Sequence, residues 1–148
     1  MKLFTLMTLL MSSLAATAFA KSEKMNAIFM EAKDLKWEAA PVPGISMATV
    51  EGDPMKGSHH AFHKFNAGVS VPQHYHSADA FVTVLAGTLI VTVDNVERRL
   101  PSGSFYILKN KQAHSTMCAA PSECLLMVEA KGKWDVVPEK QNTIGSTK

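Results

Sequence analysis

Beyond its first twenty residues this chain has no apolar run approaching the 20 or so residues that a membrane-crossing helix needs, which excludes such a helix there. Charge of either sign is not in excess, with 15 Lys+Arg against 13 Asp+Glu, and aromatic residues make up only 7%. No basic face with interleaved aromatics occurs. Nucleic acid and anionic membrane surfaces are therefore not expected partners. A sustained i, i+3, i+4, i+7 stripe is missing throughout, which argues against a helical bundle. Internal repeats and low-complexity linkers are also absent, leaving 148 residues for a single domain.

What the chain does have begins at its N-terminus. MKLFTLMTLLMSSLAATAFA places one lysine before an apolar run and ends in Ala-Phe-Ala. This reads as a secretory signal peptide over residues 1–20, cleaved after Ala20, and implies a periplasmic or secreted protein. Such export would put the two cysteines, Cys118 and Cys124, in an oxidising compartment. The stretch between them, AAPSE, holds turn-forming residues, so the thiols are expected to face each other across the base of a hairpin. A disulfide there would contribute about 2 kcal/mol by constraining the unfolded chain. The other reading is a pair of free thiols acting as metal ligands.

Residues 21–43 read as an N-terminal segment, either one or two amphipathic turns or two short strands around AIFME and LKWEA, closed by PVPG. Residues 44–137 then alternate short β-branched or period-2 runs with turn residues every eight to twelve positions. ISMATVEG, HHAFHKF, FVTVLAG, TLIVTVDN, VERRL, SFYILK, AHSTMC, CLLMVEA and KWDVVP are the expected strands. Gly87 is a hinge and Asp94-Asn95 a hairpin turn. The fold class is all-β, an antiparallel sandwich or barrel of eight to twelve strands. Residues 138–148 form a polar, frayed tail.

Six histidines occur, five of them between positions 59 and 76. In PQHYH, His74 and His76 are two apart, so an extended backbone projects both to one face, where they can share a metal ion. An H-x-H pair alone is also compatible with ordinary hydrogen-bonded histidines. Its surroundings are more telling. GVSVPQHYHSADAFVTVLAG sets Gly68, His74, His76 and Gly87 at the spacing G-x5-H-x-H-x3-E-x6-G, and GSFYILKNKQAH sets Gly103 eleven residues before His114. In this the chain resembles the cupin superfamily, and within it small exported single-domain cupins. The resemblance covers residues 44 to 137. It implies a double-stranded β-helix, a jelly-roll barrel, and a divalent metal held by His74, His76 and His114. Iron, zinc, manganese, nickel and copper are not distinguished by an imidazole set.

Four positions depart from the family pattern. Lys109 and Lys111 stand for the proline and glycine of the second motif, and Cys118 for its asparagine. Ala80 occupies the glutamate position, so the usual carboxylate ligand is missing. Asp79 beside it should face the other way by strand parity unless a bulge re-aims it, and His60 is a second candidate for the vacant role. Three neutral imidazoles leave a divalent ion its full +2 charge, which calls for an anionic further ligand. The expected function is an exported cupin that binds a divalent metal through three histidines. As an enzyme it would act on a small anionic molecule, dioxygenase-like or as an isomerase or hydrolase, with Asp79 and Tyr106 as candidate catalytic groups. The alternative is a non-catalytic periplasmic cupin that binds or senses a small ligand or metal, or one whose histidines line an empty pocket. Lys64 could meet an anion, Thr116 could line the pocket, and Trp37 and Trp134 are expected to pack in the core or an interface. A homodimer is expected from the habit of cupin sheets to extend across a two-fold axis.

Overall fold

A computed structural model describes residues 27–139. The expected signal peptide, the start of the N-terminal segment and most of the expected tail lie outside the described residues. Eleven strands form two antiparallel sheets. They are β1 Glu38–Ala39, β2 Ile45–Gly52, β3 His59–Phe65, β4 Ser70–Tyr75, β5 Ala80–Ala86, β6 Thr88–Val93, β7 Val96–Pro101, β8 Phe105–Leu108, β9 His114–Cys118, β10 Cys124–Ala130 and β11 Val137–Pro138. One sheet has the order β1-β2-β3-β10-β5-β8 and the other β11-β4-β9-β6-β7. This is the all-β architecture expected from the strand pattern, arranged as the jelly-roll that the resemblance implies. No helix among the described residues is long and apolar enough to cross a membrane.

Period-2 alternation builds both walls. In β3 the residues His59, Ala61, His63 and Phe65 are buried and their neighbours are not; in β10 Cys124, Leu126, Val128 and Ala130 are. With Val82 and Val84 of β5 and Leu89 and Val91 of β6 they make the core. At Gly87 the chain passes from one sheet to the other with φ +78°, and a Cβ there would lie 2.3 Å from the Glu123 carbonyl oxygen, so only glycine fits. Asp94 and Asn95 take φ of 50° and 61°, the paired left-handed geometry of a two-residue hairpin, with Val93 facing Val96.

Cys118 and Cys124 form a disulfide, with Cα atoms 5.8 Å apart and both residues fully buried. The reading of free thiols as metal ligands is thereby set aside. Among its described residues the N-terminal segment has neither the helix nor the first strand considered for it: residues 27–31 have no regular secondary structure and are exposed, a 3₁₀ turn spans Ala32–Asp34, and only Glu38–Ala39 pair with β2. None of the 3₁₀ residues is buried, so packing supplies no force to extend the turn into a helix.

Candidate metal centre

His74 on β4 is the direct cross-strand partner of His114 on β9. Opposed side chains on an antiparallel ladder leave the backbone about 5 Å apart, so this register alone brings two imidazoles together. Their ring centroids are 4.2 Å apart. His76 follows the end of β4 and lies 5.0 Å from His74 and 5.1 Å from His114. One ring nitrogen of each falls within 4.8 Å of the other two. All three side chains are buried on the inner side of the five-stranded sheet.

Each ring is anchored by a backbone carbonyl. His74 Nδ1 donates to the Pro72 oxygen at 2.7 Å, His114 Nδ1 to the Gln112 oxygen at 2.9 Å, and His76 Nδ1 to the Asp135 oxygen. A carbonyl can only accept, so the hydrogen sits on Nδ1 in every ring and Nε2 keeps its lone pair. Outer hydrogen bonds of this kind fix the tautomer and orientation of metal-binding histidines. Burial pushes His76 and His114 down to about 4 and lowers His74 as well, outweighing the carbonyl contacts that act the other way. Neutral rings with a free Nε2 are the form a metal requires, so these residues fit a divalent transition ion.

The cluster borders a narrow cavity of about 50 Å³ between the sheets. Tyr106 and Thr116, both expected as pocket candidates, line it, and the opposite wall is largely aliphatic. Burial raises the Tyr106 phenol above its ordinary range, so at neutral pH it is a hydroxyl donor and not a base. No Lys, Arg, Asp or Glu is among the lining residues.

Two residues that strand patterns did not single out stand in this cavity. Trp134, in the loop after β10, stacks on His76 with centroids 4.1 Å apart and planes 27° apart. Its place depends on that loop folding back, with the Trp134 amide donating to the Pro54 carbonyl and the Ser77 amide to Asp135 Oδ1, both non-local contacts. His63, on β3, is edge-on to the same indole at 5.0 Å, and its buried Nε2 has no hydrogen-bond partner. Burial, reinforced by His59 and His76, pushes it down to about 3. The HHAFHKF pattern allows either row to face inward, and the row of His63 is the one that does.

Asp79 and His60 do not take the glutamate's place. Asp79 faces away, as strand parity requires. It accepts the Asn110 amide at 2.8 Å and pairs with Lys109 at 2.9 Å, contacts that hold its carboxyl below the ordinary range. It is a loop anchor outside the cavity, neither ligand nor base, and it gives Lys109 a partner. His60 belongs to the outward row of β3 and meets Glu51 at 2.9 Å. Lys64, in that same row, lies over the Trp37 ring. Ala80 faces inward, fully buried, so a methyl group fills the position where the family motif has its glutamate. At the other variant position, Lys111 takes φ +60°, keeping the left-handed backbone a glycine would give, and its amide donates to the His76 carbonyl at 2.9 Å.

Two antiparallel sheets enclosing three convergent imidazoles define the class: a double-stranded β-helix with a histidine cluster inside. Residues 61–128 match the family model described as Cupin domain, and the chain belongs to the cupin superfamily. Solved structures share the fold. KdgF from Halomonas sp. matches with TM-score 0.60 and 21% identity, over 70% of this chain and 94% of that one. The polyketide cyclase RemF from Streptomyces resistomycificus matches with TM-score 0.65 and 15% identity, over 80% and 89%. An RmlC-like cupin from Ralstonia eutropha gives 0.63 and 19%, over 81% and 78%. At such identities the likeness is one of fold. No curated protein matches the chain in sequence.

Proposed function

We propose that this chain is an exported cupin that binds one divalent transition metal through Nε2 of His74, His76 and His114 and uses it on a small anionic molecule. The observation that carries this reading is the shared tautomer: three separate backbone carbonyls take the three Nδ1 hydrogens and leave three buried, neutral Nε2 atoms facing one another. A bound divalent ion would supply Lewis acidity and an attachment point for an anionic oxygen or sulfur. The chain's own residues would do the rest. Tyr106 and Thr116 offer hydroxyls to a bound ligand, Trp134 backs His76, and the aliphatic wall keeps water out.

Turnover of the dioxygenase-like or isomerase and hydrolase kind is the catalytic form of this reading. RemF is named as a cyclase, so the fold is compatible with an enzyme. One observation favours the alternative, a periplasmic binding or sensing protein: the cavity has no carboxylate to act as base, and Tyr106 is held protonated. His63 also lines the cavity, but burial holds it down to about 3, so it too is a weak base there. The test is metal content of the purified protein, followed by oxygen uptake and product analysis with small thiols, diketones and hydroxy acids. About one equivalent of metal in wild type, and far less in His114→Ala, is expected. Equal metal content in the two would refute the three-histidine site, and metal without turnover would select the binding reading.

A further inference from the structure

The 50 Å³ cavity has room for only a few water-sized groups, too little for a typical ligand. Beside it lies a groove of about 350 Å³, within the range of ligand sites. Cavity and groove share four residues, Ala40, Pro41, Met47 and Trp134, so the two adjoin at the indole, with these side chains between them. Pro54 and Met55 also line the groove, and Met55 is 77% exposed. Charge appears only as Lys36 and Glu38, one of each sign.

From this adjacency we infer that the ligand has two parts: a small, anionic chelating head that reaches the histidine cluster, and an apolar arm that passes the Trp134 side chain and lies in the groove between the N-terminal segment and the Pro54-Met55 turn. This deepens the metal reading above and rests on it. The head must be small because the cavity is, and it is anionic because three neutral imidazoles leave a divalent ion its +2 charge and no carboxylate lines the cavity to offset it. The arm must be apolar because Pro41, Met47, Pro54, Met55 and Trp134 offer it carbon and sulfur surface. A polyhydroxylated or multiply charged ligand would leave its polar groups unpaired against such walls.

The experiment is calorimetric titration of the zinc-loaded protein with acetohydroxamate, butanohydroxamate and hexanohydroxamate, which share one chelating head and differ only in arm length. Affinity is expected to rise about threefold for each added methylene. In Met55→Glu the hexano-to-aceto affinity ratio should fall by about tenfold; Met55 is exposed, so the substitution leaves the fold intact. Absence of acetohydroxamate binding to zinc-loaded protein would overturn the metal reading and this proposal together. Binding of acetohydroxamate with no dependence on arm length would overturn this proposal alone. The same flat series with a molecular mass that doubles on concentration would assign the groove to a second copy of the chain.

Discussion

His74, His76 and His114 are buried on one wall of the barrel; His59, His60 and His63 sit on β3, a strand of the facing sheet, and share a chemistry but not a situation. Every ring of the first trio gives its Nδ1 hydrogen to a carbonyl and aims Nε2 at the others. In the second, His59 Nδ1 has the Gly57 carbonyl but its Nε2 is unpartnered, His60 is outside among carboxylates, and His63 Nε2 has no partner. Three histidines within five residues of sequence thus make no cluster, while three spread over 41 positions do. What separates a ligand set from a group of histidines is the register of paired strands together with a backbone acceptor behind each ring.

The largest expected effect tests that distinction directly. With zinc at 1,000 times its dissociation constant, the intact site should add about 4 kcal/mol of stability, or more than about 10 °C in melting temperature, and a chelator should remove it. His114→Ala should show no chelator response at all. His60→Ala should keep the full response and change stability by less than about 0.5 kcal/mol. If the two variants behaved alike in differential scanning calorimetry, the contrast between the trios would collapse.

Acid should act next most strongly on the metal-free protein. His63 is held down to about 3 and His76 and His114 to about 4, all below the unfolded value of 6.5. Above pH 6.5 these rings are neutral in both states and cost nothing. As pH falls below 6.5 the unfolded chain takes up protons that the folded chain refuses, so stability declines down to about pH 4. Each ring contributes up to about 1.4 kcal/mol per pH unit, so the three together remove on the order of 3 kcal/mol between pH 6 and pH 5. Urea midpoints across that interval measure it, and a flat profile would mean that the rings are solvated. Because both trios contribute, His63→Phe should make the slope shallower by about a third.

That same substitution gives a smaller effect of opposite sign at neutral pH. An imidazole nitrogen buried without a partner is destabilising, and phenylalanine fills a similar volume without one. His63→Phe should therefore raise stability by about 1 kcal/mol and leave zinc affinity within about threefold. A loss of stability would show that the Trp134 ring, at 5.0 Å, already satisfies His63. His76→Phe, made in parallel, should abolish zinc binding, which keeps the two trios distinct.

How much of this was legible before any coordinates depends on the range of the interactions involved. Strand alternation is local and gives an all-β sandwich or barrel; the jelly-roll and the histidine convergence were expected from the resemblance carried by the spacing of Gly68, His74, His76, Gly87, Gly103 and His114. The outward direction of Asp79 was also legible, from parity alone. Its pairing with Lys109 was not, although Lys109 stood out as a departure from the family motif; the two residues lie 30 apart and meet only through the register of β5 on β8. His63 could not be assigned because both rows of HHAFHKF carry histidine and an aromatic. Trp134 was unreadable for a stronger reason: contacts to Pro54, Ser77 and His76 place it, and no local pattern encodes those.

The smallest effect concerns the loop behind the first trio. Lys111 stands where the family motif has glycine, and it adopts the left-handed φ of +60° that glycine takes freely and a lysine takes at a cost. Its amide donates to the carbonyl of His76, so the strained residue is also one that holds a candidate ligand in place. Lys111→Gly relieves the side-chain clash but loosens the unfolded chain, and the net gain should be below about 1 kcal/mol, read from the urea midpoint. Zinc affinity decides what the lysine does there. If glycine leaves affinity unchanged, the backbone conformation alone positions His76 and the lysine side chain is incidental. If affinity drops despite higher stability, the stiffer residue is holding the His76 carbonyl, and through it the ring, in a geometry that a freer backbone does not keep.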